Sequence, residues 1–403
     1  MDSVPITART LARRAGGTAW LPDAAGMQPP VETGGWVGAV HGSVFVQYAA
    51  TAGTRAAEQV GSVNWIDGTL TGPVGPGRLS LGLMASAEPW TLPAPGAPEL
   101  LQVAVPDQGV LIADRQPPHL ALMNLSTAYL APLGPNLVAG VFLAAVGDPA
   151  LGPPVYLHRP AASADPTLPL GHHTEDATHA SAGVATLELA TRRVHLEGSV
   201  FNGAHANPGD VLPDYSSASL DSWGIRATIN PAMRSSFAAW YGYVAAGTGL
   251  HVHDAQHRAG ISWLYAEPMQ GARVWAASVI AGANIPTATG RLLPAALIEA
   301  SCTLGQATTL FSRVEYVRRT AAELALIGSV PSELNVGAAG VGASRRVKRG
   351  AFWSVWLGGR GTIDVVPAAL EPFYGSRRPL NAVVYLAVRA GNHHSSMPVG
   401  TAP

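Results

Sequence analysis

The chain has 403 residues and a formal net charge of −1, with 13% charged and 47% apolar residues. Soluble globular chains carry roughly 25% charged residues, so much of this one's surface is hidden from water or faces lipid. Near neutrality excludes a nucleic-acid footprint, and no window of about 18 uninterrupted apolar residues supplies a transmembrane helix.

Residues 1–17 carry Arg9, Arg13 and Arg14 without an apolar run, so they do not read as an export signal. Residues 1–36 read as an N-terminal segment in which Trp20-Leu21-Pro22-Asp23 is a candidate plug. From residue 37 the pattern changes to period two. Val40, Val44, Val46 and Tyr48 alternate with His41, Ser43 and Gln47, which gives a strand one apolar and one polar face. Val63 and Trp65 against Ser62 and Asn64 read the same way. So do Val194, Leu196 and Val200 against His195, Glu197 and Ser199, and Trp223, Ile225 and Ile229 against Ser222, Arg226 and Thr228. Later segments set Ile261, Trp263 and Tyr265 against Arg258 and Ser262, and Val314 and Tyr316 against Arg313 and Glu315. Trp353, Val355 and Leu357 oppose Ser354 and Arg360. Leu380, Val384, Leu386 and Val388 oppose Asn381 and Arg389. With 45 Gly and 33 Pro spread along the chain, long helices are excluded.

About sixteen strands result, with cores at 37–49, 58–70, 78–87, 120–131, 136–146, 179–190, 193–202, 220–230, 235–246, 256–267, 272–284, 293–304, 308–318, 334–345, 350–362 and 379–390. Connections after even-numbered strands are short, as at 132–136 and 231–234. Those after odd-numbered strands are longer, above all 88–119 and 147–178. Arg345, Arg346, Lys348 and Arg349 read as a solvated turn. Short turns at one end and long loops at the other are the pattern of a transmembrane antiparallel β-barrel of the bacterial outer membrane. A soluble β-rich fold is the structural alternative, since it too alternates. The expected organisation is an N-terminal segment 1–36, a barrel 37–390 and a C-terminal tail 391–403. The only cysteine, Cys302, excludes an internal disulfide and a thiolate metal framework.

The densest polar signal is His172, His173, Glu175, Asp176 and His179, followed by Asp114, Arg115 and His119, and by His158 and Arg159. All fall in or beside the two longest loops, and His205, His251, His253 and His257 fall toward the same end. Two readings stand. In one, these groups pair with Arg115 and Arg159 and pin the loops into the lumen. In the other, His172, His173, Asp176 and His179 bind a transition metal at the mouth, serving copper or zinc handling. No His-Glu-x-x-His spacing is present. The lumen lining is read as Glu197, Arg226, Arg258, Arg313, Glu315, Arg360 and Arg389, with Glu188 and Glu299 as further acids. Its small positive surplus favours anionic solutes. Catalytic motifs are absent, although His179 and Ser181 lie close enough in sequence to keep a lipid hydrolase as a third alternative. The expectation is passage or binding of small solutes without covalent chemistry, no resident cofactor, and outer-membrane lipid as the surrounding partner.

Several stretches resemble one family. They are Gly17-Thr18-Ala19-Trp20-Leu21-Pro22-Asp23, His41-Gly42-Ser43-Val44-Phe45-Val46-Gln47-Tyr48, Asp114-Arg115-Gln116, and Pro169-Leu170-Gly171-His172-His173 with Asp176-Ala177-Thr178-His179. Together with Ser199-Val200-Phe201-Asn202-Gly203 and Arg313-Val314-Glu315-Tyr316 they span most of the chain. The resemblance is to porin-like outer-membrane β-barrel proteins of bacteria with no assigned substrate. It implies outer-membrane location. Those relatives read Arg-Gln-His-Pro-His-Asp where this chain has Arg115, Gln116, Pro117, Pro118, His119 and Leu120, and a Glu where it has Asn124. Three groups able to hold a metal or an ion pair are thus missing here.

Overall fold

The computed structural model describes residues 4–25, 31–107, 110–204, 210–213, 215, 219–245, 254–269 and 271–391. The alternating segments form sixteen strands. They are β1 (Trp36–Thr51), β2 (Ala57–Val74), β3 (Gly77–Ala85), β4 (Leu122–Gly134), β5 (Leu137–Gly147), β6 (Ser181–Ala190), β7 (Val194–Phe201) and β8 (Ser222–Ala232). They continue as β9 (Ser235–Val244), β10 (Gln256–Ala266), β11 (Arg273–Pro286), β12 (Leu293–Leu304), β13 (Thr308–Thr320), β14 (Glu333–Arg349), β15 (Trp353–Val365) and β16 (Leu380–Ala390). Each pairs antiparallel with the next, and β16 pairs with β1 through Val46↔Leu386 and Tyr48↔Val384. The ring is closed, so no strand edge is left to seek a partner in lipid. No helix of the described residues is long and apolar enough to cross a membrane, which says nothing against a barrel.

The connections keep the expected asymmetry. At one end lie 75–76, 135–136, 191–193, 233–234, 305–307 and 350–352, and at the other 86–121, 148–180, 202–221 and 366–379. The six residues 267–272 make the one longer turn at the short end.

Alternation sorts side chains as a barrel requires. Val40, Leu187, Ile261, Val314 and Val341 are exposed on the outer wall, whereas His195, Glu197, Arg226, Arg313 and Glu315 are buried inside. Aromatic side chains gird the outside at two levels. Tyr48, Trp223, Tyr241 and Tyr316 lie toward the long-loop end, and Phe237, Trp263, Trp275 and Trp353 toward the short turns. Lys348 reaches over the Trp353 ring at 5.5 Å. Rings and cationic stems at two levels, with aliphatics between, match the two interfaces and core of a bilayer.

One segment departs from its sequence reading. Val63 and Trp65 pair with Phe45 and Ser43 on the inward side, while Ser62 and Asn64 pair with the exposed Val46 and Val44. Asn64 is nonetheless buried, because the chain after β3 lies against it. Asn64 Nδ2 donates to Thr91 Oγ1 at 2.9 Å, and the Ala87 amide donates to Asn64 Oδ1 at 2.7 Å. Trp240 and Trp356 also face inward.

The core of the protein is the lumen. Helix α1 (Ile6–Ala12) and the residues after it pack against the inside near the short turns, where Ile6 and Trp20 meet Leu130 and Val138. The 148–180 loop fills the middle, with Leu151 against Phe142, Phe201 and Trp240. Leu100, Leu101, Leu170 and Tyr374 fill the long-loop end.

Val341 sits at the midpoint of β14 and is 69% exposed. Val341→Arg is expected to destabilise the folded barrel by about 2–4 kcal/mol, the cost of a cation at the bilayer midplane. Denaturant unfolding in lipid vesicles measures it. An unchanged midpoint would take this position out of the lipid belt.

Candidate functional site

The inward faces of β7, β8, β12, β13 and β15 carry a wall of arginines and glutamates, and the 148–180 loop is bonded to it along its length. On β8, Arg226 grips Glu197 of β7 with both ends of its fork, Nε to Oε2 at 2.9 Å and Nη2 to Oε1 at 3.0 Å. Its remaining Nη1 donates to the Gly152 carbonyl at 2.9 Å. The Ala150 amide donates to Ser199 Oγ at 2.7 Å. Further along, Arg360 of β15 donates to Asp165 Oδ2 at 2.8 Å, and Arg313 of β13 to the Thr167 carbonyl at 3.2 Å. The Leu170 amide donates to Glu315 Oε1 at 2.7 Å, and Tyr385 Oη to the Ala164 carbonyl at 2.5 Å.

Arg159 is the centre of this network. It is wholly buried, and its Nε donates to Glu299 Oε1 at 2.6 Å on β12. Nη1 donates to Asp176 Oδ2 at 2.9 Å and to the Pro154 carbonyl at 3.2 Å. Glu299 also accepts from Arg313 Nε at 3.2 Å. One guanidinium thus joins the wall to both limbs of the loop. Charge-assisted, fully satisfied bonds of this kind are the form in which buried charges persist.

The mouth histidines form an adjoining cluster. His172 lies in the helical turn α2 (His172–Glu175), and its Nδ1 is 2.5 Å from Asp176 Oδ1. His179 stands against His172 and His119, with ring centroids 5.2 and 5.6 Å away, and its Nδ1 donates to the Asp176 carbonyl at 2.9 Å. His119 Nδ1 bonds the buried Glu88 at 2.8 Å. Burial works against charge on His119, but Glu88 outweighs it and raises the imidazole above its ordinary range. Burial pushes His179 down to about 3, with His172 and His119 adding to it. Burial also opposes the Asp176 carboxylate, yet His172 and Arg159 hold it well below the usual range.

The Asp176 oxygens are therefore spent on His172 and Arg159. Among the described residues, no group of three or more His, Cys, Asp or Glu is arranged to hold a metal ion. His173 contributes its backbone carbonyl, which accepts from Asn284 Nδ2 at 3.1 Å. His251 and His253 lie outside the described residues, as does His205.

Asp114 and Arg115 do not pair with each other. Asp114 accepts from Arg55 Nη1 at 2.5 Å, from the Leu101 amide at 2.6 Å and from Tyr374 Oη at 3.0 Å, tying the 86–121 loop to the β1–β2 and β15–β16 connections. Arg115 is half-buried beside the short pairing Ala97–Pro98 with Arg115–Gln116. His158 is enclosed by His41 and Trp65, at ring distances of 5.6 and 5.4 Å, and burial pushes it down to about 3.

Sequence reasoning missed Arg55, Glu88, Asp165 and Tyr374, each a buried or half-buried anchor of a loop. It also missed how the two inserts meet. Gly17 adopts φ +55°, and a Cβ there would lie 2.4 Å from the Asp148 carbonyl oxygen. Only glycine lets the N-terminal turn dock at the root of the 148–180 loop.

Comparison places this architecture. The chain superposes on OmpF of Salmonella typhi in complex with daunomycin with a TM-score of 0.53 at 9% identity, covering 90% of this chain and 100% of that one. The fold is that of a porin. Outer-membrane expressed OmpT of Vibrio cholerae is also similar (TM-score 0.49, 7% identity, 90% of this chain and 99% of that one). So is an anion-selective porin from Comamonas acidovorans (TM-score 0.49, 9% identity, 88% and 99%). No family model matches the chain, and no curated protein does. A porin-fold barrel of sixteen strands with an apolar, aromatic-girdled outer wall belongs to the bacterial outer membrane.

Proposed function

We propose that this porin-fold barrel passes or binds small solutes without covalent chemistry, and that its own 148–180 loop and N-terminal segment hold it closed at rest. The observation that carries the reading is the burial of the lumen arginines. In a barrel of sixteen strands the interior is wide enough for water, and side chains of an open lumen are hydrated. Here Arg226 and Arg313 of the wall and Arg159 of the loop are at most 2% exposed, the first two bonded to the loop and the third to Glu299 on the wall. The hydrolase reading finds no support in the serine it needs: Ser181 Oγ donates to the Thr178 carbonyl at 2.8 Å, and His179 Nδ1 is engaged by Asp176.

The test is planar-bilayer conductance of the refolded protein beside a version lacking residues 150–176. The intact protein is expected to be silent and the deletion to give sustained steps. Silence from both, with folding confirmed by heat-modifiable migration, would overturn passage. Sustained steps from the intact protein would overturn the closed resting state.

A further inference from the structure

We propose that Arg258 forms an anion site inside the lumen, built to hold one small oxyanion, a carboxylate or a phosphate. This deepens the solute reading above and rests on it only for the ligand's route. Arg258 is the third residue of β10, close to the long-loop end, and points inward with 1% of its surface exposed. Its Nε, Nη1 and Nη2 are all buried without a hydrogen-bond partner. A guanidinium does not discharge by losing its proton at any ordinary pH. Burying one with its donors empty is costly, and a buried charge is ordinarily paired.

Among the described residues, the other lumen arginines but Arg389 are each paired with an acid. Arg226 has Glu197, Arg159 has Glu299 and Asp176, Arg313 and Arg360 share Asp165, and Arg14 is bonded to Glu188. Arg319 has Glu323 and two carbonyls. Arg389 also keeps free nitrogens, but its guanidinium lies 4.7 Å over the Trp356 ring, whose π face answers part of the charge.

Among the described residues, no such compensation reaches Arg258. Its cross-strand neighbours are Gly242, which has no side chain, and Asn284. Asn284 Nδ2 is turned to the His173 carbonyl at 3.1 Å, and its Oδ1 has no partner. Among the described residues Asp176 is the carboxylate whose charge acts on Arg258, but its oxygens bond His172 and Arg159 and neither is within hydrogen-bond reach of Arg258. Glu175, the other acid in this quarter, also has both oxygens unpartnered. Burial pushes its carboxyl up, toward the neutral form, and it makes no bond to Arg258. The planar fork of Arg258 presents parallel N–H donors that match two oxygens of a carboxylate or phosphate. A water molecule in the ion's place would supply hydrogen bonds but no charge.

The test is calorimetric titration of the full-length protein, refolded in detergent, with inorganic phosphate and, separately, with acetate. At least one of the two is expected to bind with about one equivalent per chain, and the pair of titrations tells which oxyanion class the fork prefers. Arg258→Gln is expected to weaken that binding by about tenfold to a hundredfold, the loss of charge-assisted bonds. Arg389→Gln is expected to leave it unchanged. If Arg258→Gln does not fold, Arg258→Lys replaces it, keeping the charge and losing the fork, with weakened binding expected. No binding of either probe to the intact protein, or binding to the Arg258 variant as tight as to the original, overturns the site. Because binding is read without a bilayer, silence from both the intact protein and the version lacking residues 150–176 would sink passage and leave this result standing.

Discussion

Arg159→Met is expected to give a folded barrel whose 148–180 loop has lost its hold and whose lumen conducts. The arginine joins three things at once: Glu299 on the wall, Asp176 on the descending limb and the Pro154 carbonyl on the ascending one. Forming such a pair gains little net, because both charges must leave water. Removing one partner is different, since Glu299 and Asp176 would stay buried with part of their charge unanswered. The cost of that is about 3–5 kcal/mol, and it falls on the loop. The strand ladder uses none of these side-chain bonds. Methionine keeps most of the apolar stem and its packing, so a cavity does not explain the effect. The measurement is step frequency in a planar bilayer, with heat-modifiable migration as the check on folding. Asp176→Asn in the same chain should recover part of the loss, since it removes one of the stranded charges, although His172 then loses its own partner. A folded Arg159→Met barrel as silent as the original would mean that the loop is held by its apolar contacts around Leu151 and Tyr156 and not by this guanidinium.

The barrel was legible because lipid on one side and polar groups on the other impose a strict alternation. Val194 to Ser199 and Leu380 to Arg389 show it in sequence, and the same residues face lipid and lumen in the structure. The reading failed at Val63 and Trp65, and for a physical reason. Where an infolded loop packs against the wall, the inner face is also apolar, as with Phe45, Val63 and Leu92, and polarity no longer distinguishes the two sides. The lining arginines could be listed from sequence, but their compensation could not. Arg360 and Asp165 are 195 residues apart, and Arg159 and Glu299 are 140 apart. Which arginine is left without an acid depends on the path of a loop that alternation does not describe. Arg258 and Arg313 look alike in sequence, each an arginine on the polar face of a strand.

Trp20→Ala is the second large effect, and it concerns the other insert. The indole is 1% exposed and lies between the His195 ring, stacked at 4.5 Å, and the Arg13 guanidinium at 4.4 Å. Around it the segment is bonded to the wall, with Asn230 Nδ2 donating to the Leu21 carbonyl at 2.8 Å and Arg14 bonded to Glu188. Truncating a buried tryptophan costs about 3–5 kcal/mol, a large share of what one short helix and a turn gain by docking. The segment forms no barrel strand, so the expected result is a folded barrel in which residues 6–25 become open to protease, measured by limited proteolysis in detergent. The effect should also reach the 148–180 loop. Gly17 packs on Asp148 and Thr18 Oγ1 accepts from Arg226, the same arginine that holds Gly152. The contacts of the N-terminal segment run along β3 to β10 and leave the opposite wall to the loops. A barrel lacking residues 150–176 should therefore conduct past the segment, and adding Trp20→Ala should enlarge each step. Steps of unchanged size, with cleavage confirmed, would mean that the narrowest point of the released lumen lies on the loop side, among the residues around Leu101 and Leu170.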